Sequence, residues 1–330
     1  MDHSFDWRPT ADLETLRLRA WLLAQIRAFF AARGVLEVDT PALSTAGATD
    51  PHLHSFTTRD TGPSLESCQL LYLHTSPEFP MKRLLAAGSG PIYQIARGFR
   101  NGEAGRRHNP EFTLLEWYRP GFDHHQLMDE VADLVTALLR HHLPLSASER
   151  LSYRDVFQRH LKLDPHWTTV ERLAACAEAQ RLIPPPTMPG DDPNPWLDLL
   201  LSHCIEPQLG QGQLTFIYDY PASQAALAQL RPGDPPLAER FELYVNGIEL
   251  ANGFHELGDP DEQRRRFELD NQARAAQGLP IVTIDERLLA ALAAGLPDCA
   301  GVALGFDRLL MIAAGKSSLQ EVMAFPIGRA

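Results

Sequence analysis

The chain has 330 residues, 44% of them hydrophobic and 22% charged, and a net charge of −12. That is ordinary globular composition, long enough for one large domain or two small ones. An acidic chain argues against free nucleic acid as the main partner, because duplex binding needs a basic face to displace counterions. No stretch reaches the ~18 uninterrupted apolar residues of a membrane span.

The start, Met-Asp-His-Ser-Phe-Asp-Trp, is acidic and has no apolar run, so no signal peptide is expected. Cys68, Cys176, Cys204 and Cys299 are scattered and none forms a C-x-x-C pair. Neither structural disulfides nor a zinc site is expected, and a reducing cytoplasm fits.

Thr10 is expected to cap a helix that Gly34 ends, with Leu13, Leu16, Ala20, Leu23, Ile26 and Phe30 as its apolar stripe. Residues 35–38 read as a short strand stopped by Thr40-Pro41, and residues 44–69 as loop. Residues 70–73 read as a strand, followed by His74-Thr75-Ser76-Pro77-Glu78 and a helix over 81–87. Ser76 and Glu78 therefore stand at a strand-to-helix turn, where polar groups often face a cleft. Helix capping by Ser76, with Glu78 favoured by the helix dipole, is the plainer account.

Residues 92–118 predict two antiparallel strands joined by a polar loop that Pro110 ends. By alternation Gln94, Ala96, Gly98 and Arg100 share one face, and Phe112, Leu114, Glu116 and Tyr118 another. If the two faces coincide, a small floor is rimmed by a guanidinium, an aromatic ring, a carboxylate and a phenol. A small anionic ligand with a flat ring would fit. Arg106, Arg107 and His108 concentrate cations in the loop, which could equally be a solvated basic tip.

Residues 124–142 and 153–181 are helical in pattern, and the Pro-rich stretch 183–195 reads as an insertion boundary inside one domain. Strands resume at 214–218. Asn246-Gly247 between alternating runs predicts a type I′ hairpin. A two-residue loop pairs Val245 with Ile248, Tyr244 with Glu249, Leu243 with Leu250 and Glu242 with Ala251. Glu242, Tyr244 and Glu249 then share a face, and a carboxylate pair of this kind suits Mg²⁺ together with substrate phosphates. An ordinary solvated face is the alternative.

Asp259-Pro260-Asp261-Glu262 opens a charged helix expected to be exposed and structural. Residues 285–294 form a short apolar helix. Residues 301–306 read as a strand weakened by glycines, which suggests close approach of a ligand or another backbone. Asp307-Arg308 begins the last helix. An arginine in a first turn opposes the helix dipole, so anion binding is one reason for Arg308, and a salt bridge to Asp307 or Glu321 the other.

Three pieces line up in order: the helix and strand ending in Pro41; Phe99-Arg100-Asn101 with Arg107-His108-Asn109-Pro110-Glu111-Phe112-Thr113; and Gly305-Phe306-Asp307-Arg308. Together they resemble the class II aminoacyl-tRNA synthetase core and, with Glu249-Leu250-Ala251-Asn252-Gly253, its lysyl branch. The likeness covers nearly the whole chain. The expected anticodon-binding barrel is missing, and Ala303 stands where those enzymes usually have glycine. The length and Glu116-Trp117-Tyr118-Arg119-Pro120 look like the lysyl-tRNA synthetase paralogues that modify elongation factor P.

The resemblance implies a single α+β domain over 1–330, a mostly antiparallel sheet flanked by helices, and a homodimer through the first motif. It implies ATP-dependent activation of (R)-β-lysine and its transfer to a lysine of elongation factor P, with no tRNA partner. Arg100 and Arg308 are then the catalytic cations. The nucleotide is expected at Arg100, Asn101, Gly102, Glu103, Asn109, Phe112, Glu242, Leu243, Gly305 and Arg308, and Mg²⁺ at Glu242 and Glu249. The acyl substrate falls to Ser76, Pro77, Glu78, Glu116, Tyr118, Glu249, Asn252, Glu256 and Ala303. The family's second motif usually reads Arg-Asn-Glu, whereas here it reads Arg100-Asn101-Gly102-Glu103, so a carboxylate expected near adenine is displaced by one position. A free-standing enzyme that charges lysine onto tRNA or forms a small amide, and a non-catalytic regulatory paralogue, are the two rivals.

Overall fold

The computed structural model describes residues 7–62, 69–186 and 188–330. The acidic start through Asp6, part of the expected 44–69 loop with Cys68, and Thr187 in the Pro-rich stretch lie outside the described residues. In chain order the elements run α1 (Leu13–Ala31), β1 (Leu36–Glu37), β2 (Leu43–Ser44), β3 (Thr57–Arg59), β4 (Leu70–Leu73), α2 (Glu78–Ala86), β5 (Ile92–Phe99) and β6 (Glu111–Pro120). Next come α3 (His124–Leu139), β7 (Glu149–Ser152), α4 (Tyr153–Leu161), α5 (Val170–Ala179), α6 (Asn194–Leu200), β8 (Thr215–Pro221) and β9 (Leu230–Arg231). Last are β10 (Leu237–Val245), β11 (Ile248–His255), α7 (Pro260–Ala276), α8 (Glu286–Gly295), β12 (Cys299–Gly305) and α9 (Phe306–Ala313). Among the described residues no helix is long and apolar enough to cross a membrane.

The chain forms two compact units, the first from Met1–Gly121, Gly258–Cys299 and Ala303–Ala330, the second from Phe122–Leu257 with Ala300–Val302. In the first unit α1 is capped by Asp12, whose carboxylate accepts from Thr15 N at 2.7 Å. Thr10, the expected cap, instead donates its hydroxyl to Met323 O at 2.8 Å. The expected stripe is right at Ile26 and Phe30, but Thr15 and Leu22 complete the buried side, while Leu13 is 66% exposed. Three- and four-residue steps can be phased in two ways along one helix, and packing on β5 and β6 selects the second. Phe30 stacks on Tyr93 at 4.4 Å between ring centroids and meets Trp117 edge-on at 5.4 Å.

β1 runs parallel to β5, and β5 pairs antiparallel with β6. A small separate sheet has the order β2-β4-β3. The expected loop over 44–69 therefore contains β3, a strand whose residues are all exposed. Its only signal in the chain is pairing to β4, which local sequence does not carry. The helix α7 is not wholly exposed as expected. Phe267 is buried, and Asn271 exchanges two hydrogen bonds of 3.0 Å with the backbone of Val282.

In the second unit β11, β10 and β8 are antiparallel neighbours, β7 is parallel to β8, and β9 pairs with β10. The expected helical run over 153–181 is two helices. Lys162, at φ +58°, ends α4 in the left-handed region. α6 begins inside the Pro-rich stretch. Tyr153, Val156, Phe157, Leu197, Leu200, Ile217 and Tyr220 form the apolar centre of this unit. Both units thus join mixed, predominantly antiparallel sheet to covering helices, the expected α+β composition.

Candidate active site

The first unit carries the long hairpin. Gln94 faces Glu116, Ala96 faces Leu114 and Gly98 faces Phe112, so the two expected faces coincide. A side chain at Gly98 would meet the Phe112 ring at 2.8 Å, so that ring lies directly on the backbone of β5. The Arg100 guanidinium stands 5.0 Å from the Phe112 ring centroid and 3.8 Å from Glu103. Its Nε is buried and makes no hydrogen bond. An orphaned, charged donor beside an aromatic face suits an anionic group attached to a flat ring.

Gly102 takes φ +87°, a conformation in which a β-carbon is strained, and the chain turns there so that Glu103 returns to Arg100. The turn gives Gly102 its role, and Glu103 is the carboxylate that meets the arginine. Asn101 lies on the exposed tip, its N–H donating to His54 O at 2.7 Å. Asn109 is buried. It donates to Glu111 O at 2.6 Å and accepts from Ile327 N at 3.0 Å.

Arg308 donates to His108 Nε2 at 2.9 Å and reaches Arg107 O at 3.4 Å. Burial first, and the Arg308 charge next, hold the His108 imidazole below its ordinary pKa, which keeps it a neutral acceptor. The neighbouring Asp307 is buried. It accepts from Thr113 N at 2.6 Å and lies 3.9 Å from Arg19, which itself donates to Thr113 Oγ1 at 2.8 Å. Thus α1, β6 and the first turn of α9 are tied together behind Arg308. Ala303 and Gly305 are half-buried between buried Val302, Leu304 and Phe306, so they share the more open face of β12, as alternation predicts.

Ser76 accepts from Glu78 N at 3.1 Å rather than capping by position, because Pro77 is the N-cap of α2. Glu78 accepts from Lys82 Nζ at 2.7 Å, and Lys82 is 1% exposed. Glu116 is buried and accepts from Tyr118 Oη at 2.7 Å. This unit therefore offers two carboxylates, Glu78 and Glu116, together with a phenol and a hydroxyl. That donor set suits ammonium groups.

The second unit holds the short hairpin. Asn246 at φ +50° and Gly247 at φ +68° make the expected turn. Val245 faces Ile248 and Tyr244 faces Glu249, as expected, but Leu243 faces Ala251 and Glu242 faces Asn252. Leu250 is an extra residue, a β-bulge. The bulge has a consequence for the site. Glu249 and Asn252 are an odd number of positions apart and would point to opposite faces of a regular strand. With Leu250 inserted, Glu242, Tyr244, Glu249 and Asn252 share one face, and Phe254 and Glu256 follow Asn252 by alternation.

Glu242 is buried. It accepts from Tyr244 Oη and from Arg240, both at 2.5 Å. Arg240 also donates to Asn252 Oδ1 at 3.2 Å and to Gln224 O at 2.8 Å. Burial alone would lower its pKa, but the charges of Glu242 and, more weakly, Glu249 reverse that to a net rise. Burial, then the Glu242 charge, likewise keeps Tyr244 protonated. Two carboxylates, Glu242 and Glu249, on one sheet face are an all-oxygen donor set that fits Mg²⁺. Leu243 is fully buried, so only its backbone is available, and Glu256 is 3% exposed.

Sequence reasoning passed over Lys82, Arg240 and Arg19. Lys82 stands four positions after Glu78 on a helix, and Arg240 two positions before Glu242 on a strand, so spacing alone identifies both. Arg19 carries no local signal, because its partners are far away in sequence.

Residues 3–329 match the class II tRNA synthetases (D, K and N), and the chain belongs to that family. Within it, the chain is 54% identical over 321 residues to the "Elongation factor P--(R)-beta-lysine ligase" of Vibrio vulnificus, covering 97% of this chain and 98% of that one. It is 52% identical over 333 residues to the proteins of the same name from Salmonella paratyphi B and Salmonella schwarzengrund, over the full length of both partners.

Proposed function

We propose that this chain is an AMP-forming ligase that activates (R)-β-lysine with ATP and transfers it to a lysine side chain of elongation factor P. The observation that carries this reading is full-length identity of 52% to 54% with ligases of that name. The Arg100 guanidinium, whose Nε has no hydrogen-bond partner, stands beside Phe112 and supports the chemistry this reading needs.

In the first half-reaction a carboxylate oxygen bonds to the α-phosphorus and pyrophosphate leaves. In the second, the ε-amine of the acceptor bonds to the acyl carbon, loses a proton, and AMP leaves. Positioning and charge stabilisation carry both steps. Arg100 holds the α-phosphate and the incoming carboxylate, and Arg308 the γ-phosphate. Phe112 stacks on adenine, with Asn109 and the backbones of Asn101, Gly102, Leu243 and Gly305 lining the nucleotide and Glu103 replacing the displaced family carboxylate. Glu242 and Glu249 hold Mg²⁺, which neutralises phosphate charge when bound. Glu78, Glu116 and Glu256, with Ser76, Pro77, Tyr118 and Asn252, take the ammonium-bearing substrate, and Ala303 sets the room beside its carboxylate.

The enzyme acts as a single catalytic domain and a homodimer joined through α1 and the strands after it. Exposed Leu13, Trp21, Leu36 and Leu43 in that region, with Leu13 at 66% and Leu36 at 56%, support the interface. The acceptor is a protein in the cytoplasm rather than tRNA. A net charge of −12 repels a polyanion and attracts a basic loop, so transfer slows as salt rises.

ATP–pyrophosphate exchange across a panel of amino acids, followed by mass measurement of elongation factor P, tests the reading. Exchange with (R)-β-lysine and a matching mass gain on the factor are expected. No exchange with any amino acid, or equal acylation of purified tRNA, overturns it.

A further inference from the structure

On the opposite face of β11 from Asn252 lies a cluster that the ligase reading does not use. His124 opens α3, His255 ends β11 and Glu239 lies on β10. Each offers a ligand atom within 4.8 Å of the other two. His124 is 2% exposed, and neither of its ring nitrogens makes a hydrogen bond. A buried imidazole with both nitrogens unsatisfied is costly, so a ligand for it is the natural reason for its survival there.

The surroundings favour a cation. Asp219 Oδ1 stands 3.6 Å from His124 Nε2, too long for a hydrogen bond, and is itself buried without one. Asp219 lies beside the cluster and adds negative charge to it. The other Asp219 oxygen accepts from Arg231 at 2.5 Å, and Arg231 also lies 3.6 Å from Glu239. One guanidinium thus serves two carboxylates. With neutral imidazoles the cluster keeps one net negative charge.

Part of the orientation is supplied within the ligand set itself. His255 Nδ1 and Glu239 Oε2 are 2.6 Å apart, a contact that fixes the imidazole in its plane. A second irregularity turns these groups inward. Between Ala238 and Phe241 the register of β10 against β8 slips by one residue, so Glu239 and Arg240 together oppose Asp219. Asp219 takes φ +58° at that point. The side chains of His255 and Glu239 are 15% and 16% exposed, enough for an ion to enter.

We infer that His124, Glu239 and His255 bind one divalent transition-metal ion, Zn²⁺ by ligand type, beside Asp219 and on the face of the second unit's sheet opposite Glu242 and Asn252. Imidazole with carboxylate and no thiolate suits Zn²⁺, and Co²⁺ is its spectroscopic substitute. The ion would brace β10, β11 and the start of α3 against one another. Cysteine spacing carries no sign of such a site, because no cysteine takes part.

The test uses the full chain, stripped with EDTA, reloaded with Zn²⁺ and passed through gel filtration before metal analysis. One equivalent per chain is expected. Co²⁺ in its place should give the absorption of a tetrahedral site. Competition against a chromophoric chelator reads affinity for wild type, His124→Phe and His255→Gln. Each variant should bind at least about 100-fold more weakly, as expected when a ligand is lost. Zn²⁺ should raise the Tm of stripped wild type and leave that of the variants unchanged. Phenylalanine fills the space of His124, and His255→Gln alters a partly exposed side chain, so one variant remains should the other not fold. Wild type that keeps no zinc after gel filtration overturns the inference. So do variants with wild-type affinity, which would assign the metal to others among the 13 histidines.

Discussion

Replacing Asp307 separates two contributions that lie one residue from Arg308. The Asp307 carboxylate is a buried acceptor for Thr113 N at 2.6 Å and a distant partner of Arg19 at 3.9 Å. Asp307→Ala strands a buried N–H, at a cost of about 1–3 kcal/mol. It also removes a charge facing Arg19, whose side chain is 23% exposed, so the ~3–5 kcal/mol of a fully buried pair is not reached. Together the loss should be about 2–4 kcal/mol.

Asp307→Asn behaves differently. Burial raises the pKa of this carboxyl above its ordinary 3.8, despite the hydrogen bond from Thr113 and the attraction of Arg19. The ionised form is therefore less favoured in the folded chain than in the unfolded one. A neutral amide keeps an acceptor for Thr113 N and escapes that cost, so it should lose less than about 1 kcal/mol. The pH dependence follows. Where the pH lies between the unfolded and the raised folded value, the folded state holds the extra proton. This group's contribution is thus largest in acid and is lost as the pH rises through the folded value. The asparagine variant should lack that part of the profile. Urea titration of the three proteins at two pH values measures it. Equal losses for Asn and Ala would refute the account, since they would make the charge, and not the acceptor, the stabilising element.

Ala303→Gly should narrow the preference for (R)-β-lysine over α-lysine by raising kcat/KM for α-lysine, within the ~10–200-fold range of one methylene-sized change. An unchanged ratio means that Ala303 only packs β12. Arg100→Ala should slow pyrophosphate exchange by about 10²-fold or more while leaving the circular dichroism unaltered. Exchange near the wild-type rate would remove Arg100 from the chemistry. His108 accepts from Arg308 only as the neutral imidazole, and its folded pKa is depressed below 6.5. Its support is complete above that ordinary value and is lost as the pH falls through the folded one. The acid limb of kcat/KM for ATP should therefore be shallower in His108→Gln, and an identical limb in both proteins would count against the contact.

Much of this molecule is legible where chemistry is local. The Asn246-Gly247 turn, the Asp259 cap and the coincident faces of β5 and β6 follow from residue type and spacing. What escapes is decided by distant partners. β3 has no buried residue, so only pairing to β4 defines it. The buried side of α1 is chosen by Tyr93 and Trp117. The candidate site divides in the same way. Motif residues are readable by resemblance, and Lys82 and Arg240 by position along one element. Arg19 and the His124 cluster bring together residues far apart in the chain.

Leu250 gives β11 a parity. Residues before it and after it count from different origins, so the strand behaves as two rulers laid end to end. Substitutions leave this arithmetic intact, whereas deleting one residue does not. A chain without Leu250 would keep its composition and its turn, yet Asn252, Phe254 and Glu256 would exchange sides with Gly253 and His255. The primary constraint on this hairpin is therefore on its length. Any transplant of Glu249 and Asn252 into another scaffold has to carry the odd residue between them.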